Sequence, residues 1–199
     1  MPAEPPQPLV LSERAVANSD PLFADAVAAV ARKLDRVDPL DAAALPSDRL
    51  ALADALDRWA GDDTATWRRE LRRHYEQHLP VYVRPDAGLN AVLRALAAGG
   101  VRIGVWSPGP AEAVDLLLAH VGVARILTAS GHGGGEALAT LADALGGSPL
   151  VVVATGAEAV AARRAGMACA AAGWAGAGDI EGCIRLQRPH DLLTATGAP

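Results

Sequence analysis

The chain has 199 residues and carries 18 Lys and Arg against 23 Asp and Glu, a formal charge of −5. That length suits one domain, or one domain with a smaller insert, and 51% hydrophobic with 21% charged residues is a globular composition, not a disordered one. The mild acidity argues against nucleic acid, whose binders carry a basic stripe, and no apolar run of 18 residues offers a membrane span. The opening MPAEPPQP lacks the basic start and apolar stretch of a signal peptide and reads as a proline-rich lead-in, so a cytoplasmic protein is expected. Cys169 and Cys183 are too few and too unpatterned for a disulfide scaffold or a zinc site, and a chain of this size needs no such staple. Lys33 is the single lysine, so any lysine chemistry must use it.

Leu9-Val-Leu11 predicts a short first strand. From Asp20 to about Leu79 only helical patterns follow. Asp20 can cap a helix that has Pro21 in its first turn, with Phe23, Val27, Val30 and Leu34 on one face. Ser47 is placed to cap a second helix burying Leu52, Leu56 and Trp59. A third runs from about Thr64 to Leu79, with Trp67, Leu71, Tyr75 and Leu79 at every fourth position. Val81-Tyr-Val83 reads as extended, and Pro85 opens a helix carrying Leu89, Val92, Leu93 and Leu96.

Beyond residue 84, short apolar runs alternate with helical patterns. Strands are expected at Val101–Trp106, Arg125–Ala129, Leu150–Ala154 and Met167–Ala172, with helices between them closed by glycines. The unbroken Leu150-Val-Val-Val suits a parallel strand covered on both faces. The alternation implies right-handed crossovers and an α/β fold, a Rossmann-like doubly wound parallel sheet. The division expected is a core of residues 1–19 and 84–199, with an α-helical cap inserted at 20–83.

In such sheets the binding crevice lies beyond the carboxyl ends of the strands. That singles out Ser12-Glu13-Arg14, Ser107-Pro108-Gly109, Ser130 to Gly135, and Thr155-Gly156, all of which could also be ordinary turn and capping residues. The layout resembles the haloacid dehalogenase superfamily, in its phosphoglycolate-phosphatase-like branch with a helical cap. The similarity is carried by RPDAGLNAVLRALAAGGVRIGVWS (84–107), by GEALATLADALGGSPLVVVATGAEAVAARRAGM (135–167) and by the closing IRLQRPHDLL.

The resemblance implies a phosphate-ester hydrolase with an aspartate nucleophile ending the first strand and a second aspartate, two residues on, as general acid. It also implies a Ser or Thr after the second strand, a Lys after the third, and acidic Mg²⁺ ligands after the fourth. Residue by residue, Ser12 stands at the nucleophile, Arg14 at the general acid, Ser107 at the retained Ser/Thr position, and His132 at the lysine. Thr155 and Ala159 stand at the metal carboxylates. A one-residue shift places Glu13 at the nucleophile but Ala15 at the acid. Without paired carboxylates Mg²⁺ has no hard oxygen site.

Other motifs are weaker. His132-Gly-Gly-Gly135 matches a lipase oxyanion motif, but Val105 stands where a nucleophile elbow before Ser107 needs glycine. His74 and His78 are four apart on one helix with no third ligand evident, and read as a solvated face. Trp106 is read as a strand residue near the crevice mouth.

Two functions follow. The leading one is a catalytically inactive pseudo-phosphatase without a cofactor. It would hold a small anionic or phosphorylated ligand without metal, on Ser12, Arg14, Ser107, His132 and Thr155; a protein partner or a homodimer is a separate expectation. Arg14 would offer a bidentate fork, and helix N-termini after Ser107 and Thr155 would add N–H donors. The competing expectation is that Arg14 pairs with Glu13 or Asp20. The alternative function is an active hydrolase, requiring Mg²⁺, with a rearranged site on Glu13, Asp20 or Glu158.

Overall fold

The computed structural model describes residues 6–34 and 49–197. Six strands form one sheet: β1 (Leu9–Ser12), β2 (Ile103–Ser107), β3 (Ala129–His132), β4 (Leu150–Val153), β5 (Cys169–Ala172) and β6 (Cys183–Leu186), in the order β3-β2-β1-β4-β5-β6. Every neighbouring pair is parallel. The order reverses between β1 and β4, which makes their carboxyl ends the switch point where such sheets open a crevice.

Strand alternation divides the core into two layers. Leu9, Leu11, Ile103, Val105, Leu150 and Val152 face one side, while Val10, Trp106, Val151 and Val153 face the other. Both sides are buried, which explains why β4 reads as an unbroken apolar run instead of an alternating one. The second face is covered by α7 (Gly135–Ala144) and α8 (Gly156–Arg164), through Leu138, Leu141, Ala159 and Ala162. Gly104 permits this approach, since a Cβ there would stand 3.1 Å from the side chains of Leu141 and Leu145.

The first face is covered by α5 (Ala87–Ala98), α6 (Ala111–His120) and α9 (Asp191–Ala195), together with inserted helices. After β1 comes the single turn α1 (Glu13–Val16), then α2 (Asp20–Leu34), α3 (Arg49–Ala60) and α4 (Thr64–Tyr82). Leu22, Phe23, Trp67, Leu71 and Tyr75 are continuous with the apolar layer of this sheet face, and α4 lies against both α2 and α6. Each buried aliphatic or aromatic side chain here contributes about 1.5–3 kcal/mol of transfer free energy, which holds the inserted helices to one another and to α6.

Several local expectations are corrected. The third strand is Ala129–His132, not Arg125–Ala129. It is an edge strand of small and polar residues, so it lacks the apolar signature that drew attention to Ile126 and Leu127. Helix α4 continues through Val81 and Tyr82 instead of becoming extended at Val81, because Pro80 falls in its last turn, where one lost N–H is tolerated; only Val83 is extended. Ser47, and the side chains of Leu34 and Leu52, lie outside the described residues. Cys169 and Cys183 are opposite each other in the β5–β6 register, Cα to Cα 5.0 Å, and form a disulfide. They make one cross-strand bond, a pairing invisible until the register is known. Among the described residues no helix is long and apolar enough to cross a membrane.

Candidate functional site

The carboxyl ends of β1, β2 and β4 bring Ser12, Glu13, Arg14, Ser107 and Thr155 to one edge of the sheet, and His132 ends β3 beside Ser107. At the centre stands Glu13, only 2% exposed. Its Oε1 accepts the hydroxyl of Ser19 and its Oε2 accepts the hydroxyl of Ser107. The Ser107 oxygen in turn accepts the N–H of Gly109 at 2.9 Å, which directs its proton to the carboxylate. A buried carboxyl is costly unless its oxygens are bonded, and these donors supply that compensation.

Ser12 lies on the opposite side of β1 from Glu13. Its oxygen accepts the N–H of Ala15 at 3.3 Å, and its hydroxyl bonds to Glu158. Glu158 is 3% exposed and closes a capping box on α8. Its carboxylate accepts the N–H groups of Ala154 and Thr155 at 2.8 and 3.1 Å, while the Thr155 oxygen accepts the N–H of Glu158. Burial raises the Glu158 pKa above the ordinary glutamate value, opposed by the Ala154 N–H, the Arg14 charge and the Ser12 hydroxyl.

Arg14 is held by its own neighbour: Nε donates to Asp20 Oδ1 at 3.0 Å, with 18% of the arginine side chain exposed. Thus the Arg14–Asp20 pairing, one of the expected alternatives, is the arrangement found. His132 Nε2 is 3.7 Å from Asp115 Oδ1, and its Nδ1 is buried without a hydrogen-bond partner. The glycines after it are not free to form an oxyanion hole at Gly133, whose N–H donates to the Ser107 carbonyl and whose carbonyl accepts the indole N–H of the buried Trp106. Trp106 is fully buried in the apolar layer with Leu138 and Leu141 and does not stand at a crevice mouth. Trp174 donates to the Ala15 carbonyl at 2.9 Å.

Sequence reasoning missed Ser19 and did not foresee the use of Glu13. The available signal was a glutamate placed directly after an apolar strand, where a buried acid demands nearby donors. On the helices, Asp25 Oδ2 lies 2.9 Å from His74 Nε2, and the His74 and His78 rings stack with centroids 4.2 Å apart. The pair faces a carboxylate more than open solvent. Among the described residues no cluster of three His, Cys, Asp or Glu side chains has the arrangement of a metal site.

Mg²⁺, which this fold type implies, does not fit the donor set at β4. Thr155 and Glu158 are engaged in the capping box, Ala159 has no donor, and the Glu158 carboxyl favours its proton more than usual. A cation that demands several hard oxygens would have to dismantle the start of α8.

No protein-family model and no curated protein matches the sequence. Solved structures do match in three dimensions. CbbY from Rhodobacter sphaeroides, in complex with phosphate, aligns with a TM-score of 0.76 at 14% identity over 96% of this chain and 99% of that one. β-Phosphoglucomutase from Clostridium difficile aligns with a TM-score of 0.66 at 12% identity, over 94% and 92%. A phosphoglycolate phosphatase candidate from Lactobacillus plantarum aligns with a TM-score of 0.68 at 14% identity, over 96% and 99%. The chain shares the fold of these structures, the haloacid dehalogenase-like α/β fold.

Proposed function

We propose that the protein is a catalytically inactive member of this fold type, a pseudo-phosphatase acting through binding to a small ligand or a protein partner. The observation that carries the reading is the state of Glu13. Glu13, the carboxyl directly after the nucleophile position, is buried, and both its oxygens accept serine hydroxyls. Neither register places an acid two residues on: Arg14 follows Ser12 at that spacing and is bound to Asp20, and Ala15 follows Glu13. In this reading residues 20–83 are the cap over the crevice, and the anion set of Ser12, Arg14, Ser107, His132 and Thr155 accepts an anion only where its internal partners yield.

The hydrolase reading draws on one observation, that Glu13 stands beside Ser107. Against it stands access: a substrate would have to reach a carboxyl that is 2% exposed and held by two serine hydroxyls. A panel of phosphate monoesters with and without Mg²⁺ separates the two. The inactive reading expects no turnover above buffer; turnover abolished by Glu13→Gln would overturn it. A cytoplasmic location belongs to the same proposal, and there the Cys169–Cys183 disulfide would be open to reduction to two thiols. Alkylation of the protein at cell lysis checks this: two blocked cysteines are expected, and none would contradict it.

A further inference from the structure

We propose that Glu13 is the resident anion of the crevice, an internal side chain occupying the position that an oxyanion would otherwise take. This deepens the inactive reading and rests on it. Ligands of open α/β sheets sit at the carboxyl ends of the strands flanking the switch point, and Glu13 begins at the end of β1, one of those strands. Its donors form an anion cradle: the Ser19 hydroxyl on one oxygen and the Ser107 hydroxyl on the other. The Gly109 N–H fixes the second hydroxyl by donating to its oxygen. The fit is close on the Gly109 side, where a Cβ would stand 3.2 Å from Ser107 Oγ and 3.5 Å from Glu13 Oε2.

Charge makes the occupancy exclusive. Arg14 is paired with Asp20, and Lys33 is bound to Glu70 on the helical insert. An incoming oxyanion would meet the Glu13 carboxyl at short range while Arg14, next to it in the chain, is already paired, and an ionised carboxyl and an oxyanion repel strongly in a buried site. Removing the Glu13 carboxylate leaves the Ser19 and Ser107 hydroxyls without their acceptor. The natural replacement is a small tetrahedral oxyanion, for which these hydroxyls are suitable donors.

The test titrates inorganic phosphate, without metal, into the full chain, its Glu13→Ala variant and the double variant Glu13→Ala/Ser107→Ala, by calorimetry and by melting temperature. Wild type is expected to show no saturable binding in the millimolar range. Glu13→Ala should bind one phosphate at least about tenfold more tightly, and the second substitution should remove that gain. Folded Glu13→Ala that binds no better than wild type would overturn the proposal, as would equal binding by all three. If Glu13→Ala does not fold, Ser107→Ala is compared in the wild-type and Glu13→Gln backgrounds. A much larger fall in melting temperature with Glu13 present supports the charge-bonded occupancy, and equal falls overturn it. Phosphoester turnover by wild type would remove the inactive reading beneath it, whereas failed phosphate binding in a turnover-free protein removes this proposal alone.

Discussion

The crevice and the helical insert use the same charged residue types to opposite ends. At the crevice, Glu13 and Glu158 are buried and rely on serine hydroxyls and backbone N–H groups. On the insert, Asp25 pairs with His74, Lys33 with Glu70, Asp57 with Arg68, and Glu76 with Arg72, in positions that keep contact with water. Solvation decides the sign of the effect on each carboxyl. Asp25 is held below the ordinary aspartate range by the His74 hydrogen bond, while burial pushes Glu158 above the ordinary glutamate range. A buried carboxylate lacking donors is a liability, whereas an exposed one lacking a partner is nearly neutral.

The largest consequence is expected at Ser19. Ser19→Ala removes one hydrogen bond to a buried carboxyl, which should cost about 1–3 kcal/mol in chemical denaturation. A loss no greater than that of a surface substitution would place Glu13 in contact with water. Glu158 gives the next effect, read against pH. Its folded pKa is raised, so the unfolded chain gives up the proton first. Stability from this group is therefore full below about pH 4.5 and is lost as pH rises through the folded value. Glu158→Gln should accordingly compare better with wild type at pH 8 than at pH 4, and the reverse order would contradict burial as the dominant cause.

Asp25 should show the opposite sign. Its lowered folded pKa contributes stability above the unfolded value near 3.8 that is lost as pH falls, so Asp25→Asn should flatten the acid limb of a pH–melting curve. An unchanged acid limb would show the Asp25–His74 contact to be energetically idle. The smallest effect belongs to Arg72→Ala, which removes an exposed i,i+4 pair and should change stability by less than about 0.5 kcal/mol. A larger loss would blur the distinction between the two regions.

The sheet was legible where local pattern and burial agree. Leu150-Val-Val-Val and the fourfold spacing of Trp67, Leu71, Tyr75 and Leu79 each point to one structure, and α/β alternation gave the doubly wound sheet. The edge strand β3 was not legible, because Ala-Ser-Gly-His carries no apolar alternation and is set by its pairing to β2. The crevice was legible as a set of strand ends, which is a matter of topology. Its chemistry was not, since Glu13 meets Ser107 across 94 residues and the Cys169–Cys183 bond depends on strand register. Arg14 shows the same limit: its residue type suits an anion fork, but Asp20, six residues away, takes it.

The central claim, that this fold holds its own carboxylate where a phosphatase would hold substrate, is tested most directly by a crystal structure of the full chain grown with phosphate and Mg²⁺. The account predicts the Glu13 side chain between Ser19 and Ser107, with neither ion at the ends of β1 and β4. A phosphate bonded to Ser107 with Glu13 displaced, or Mg²⁺ bound to Glu158, would contradict it.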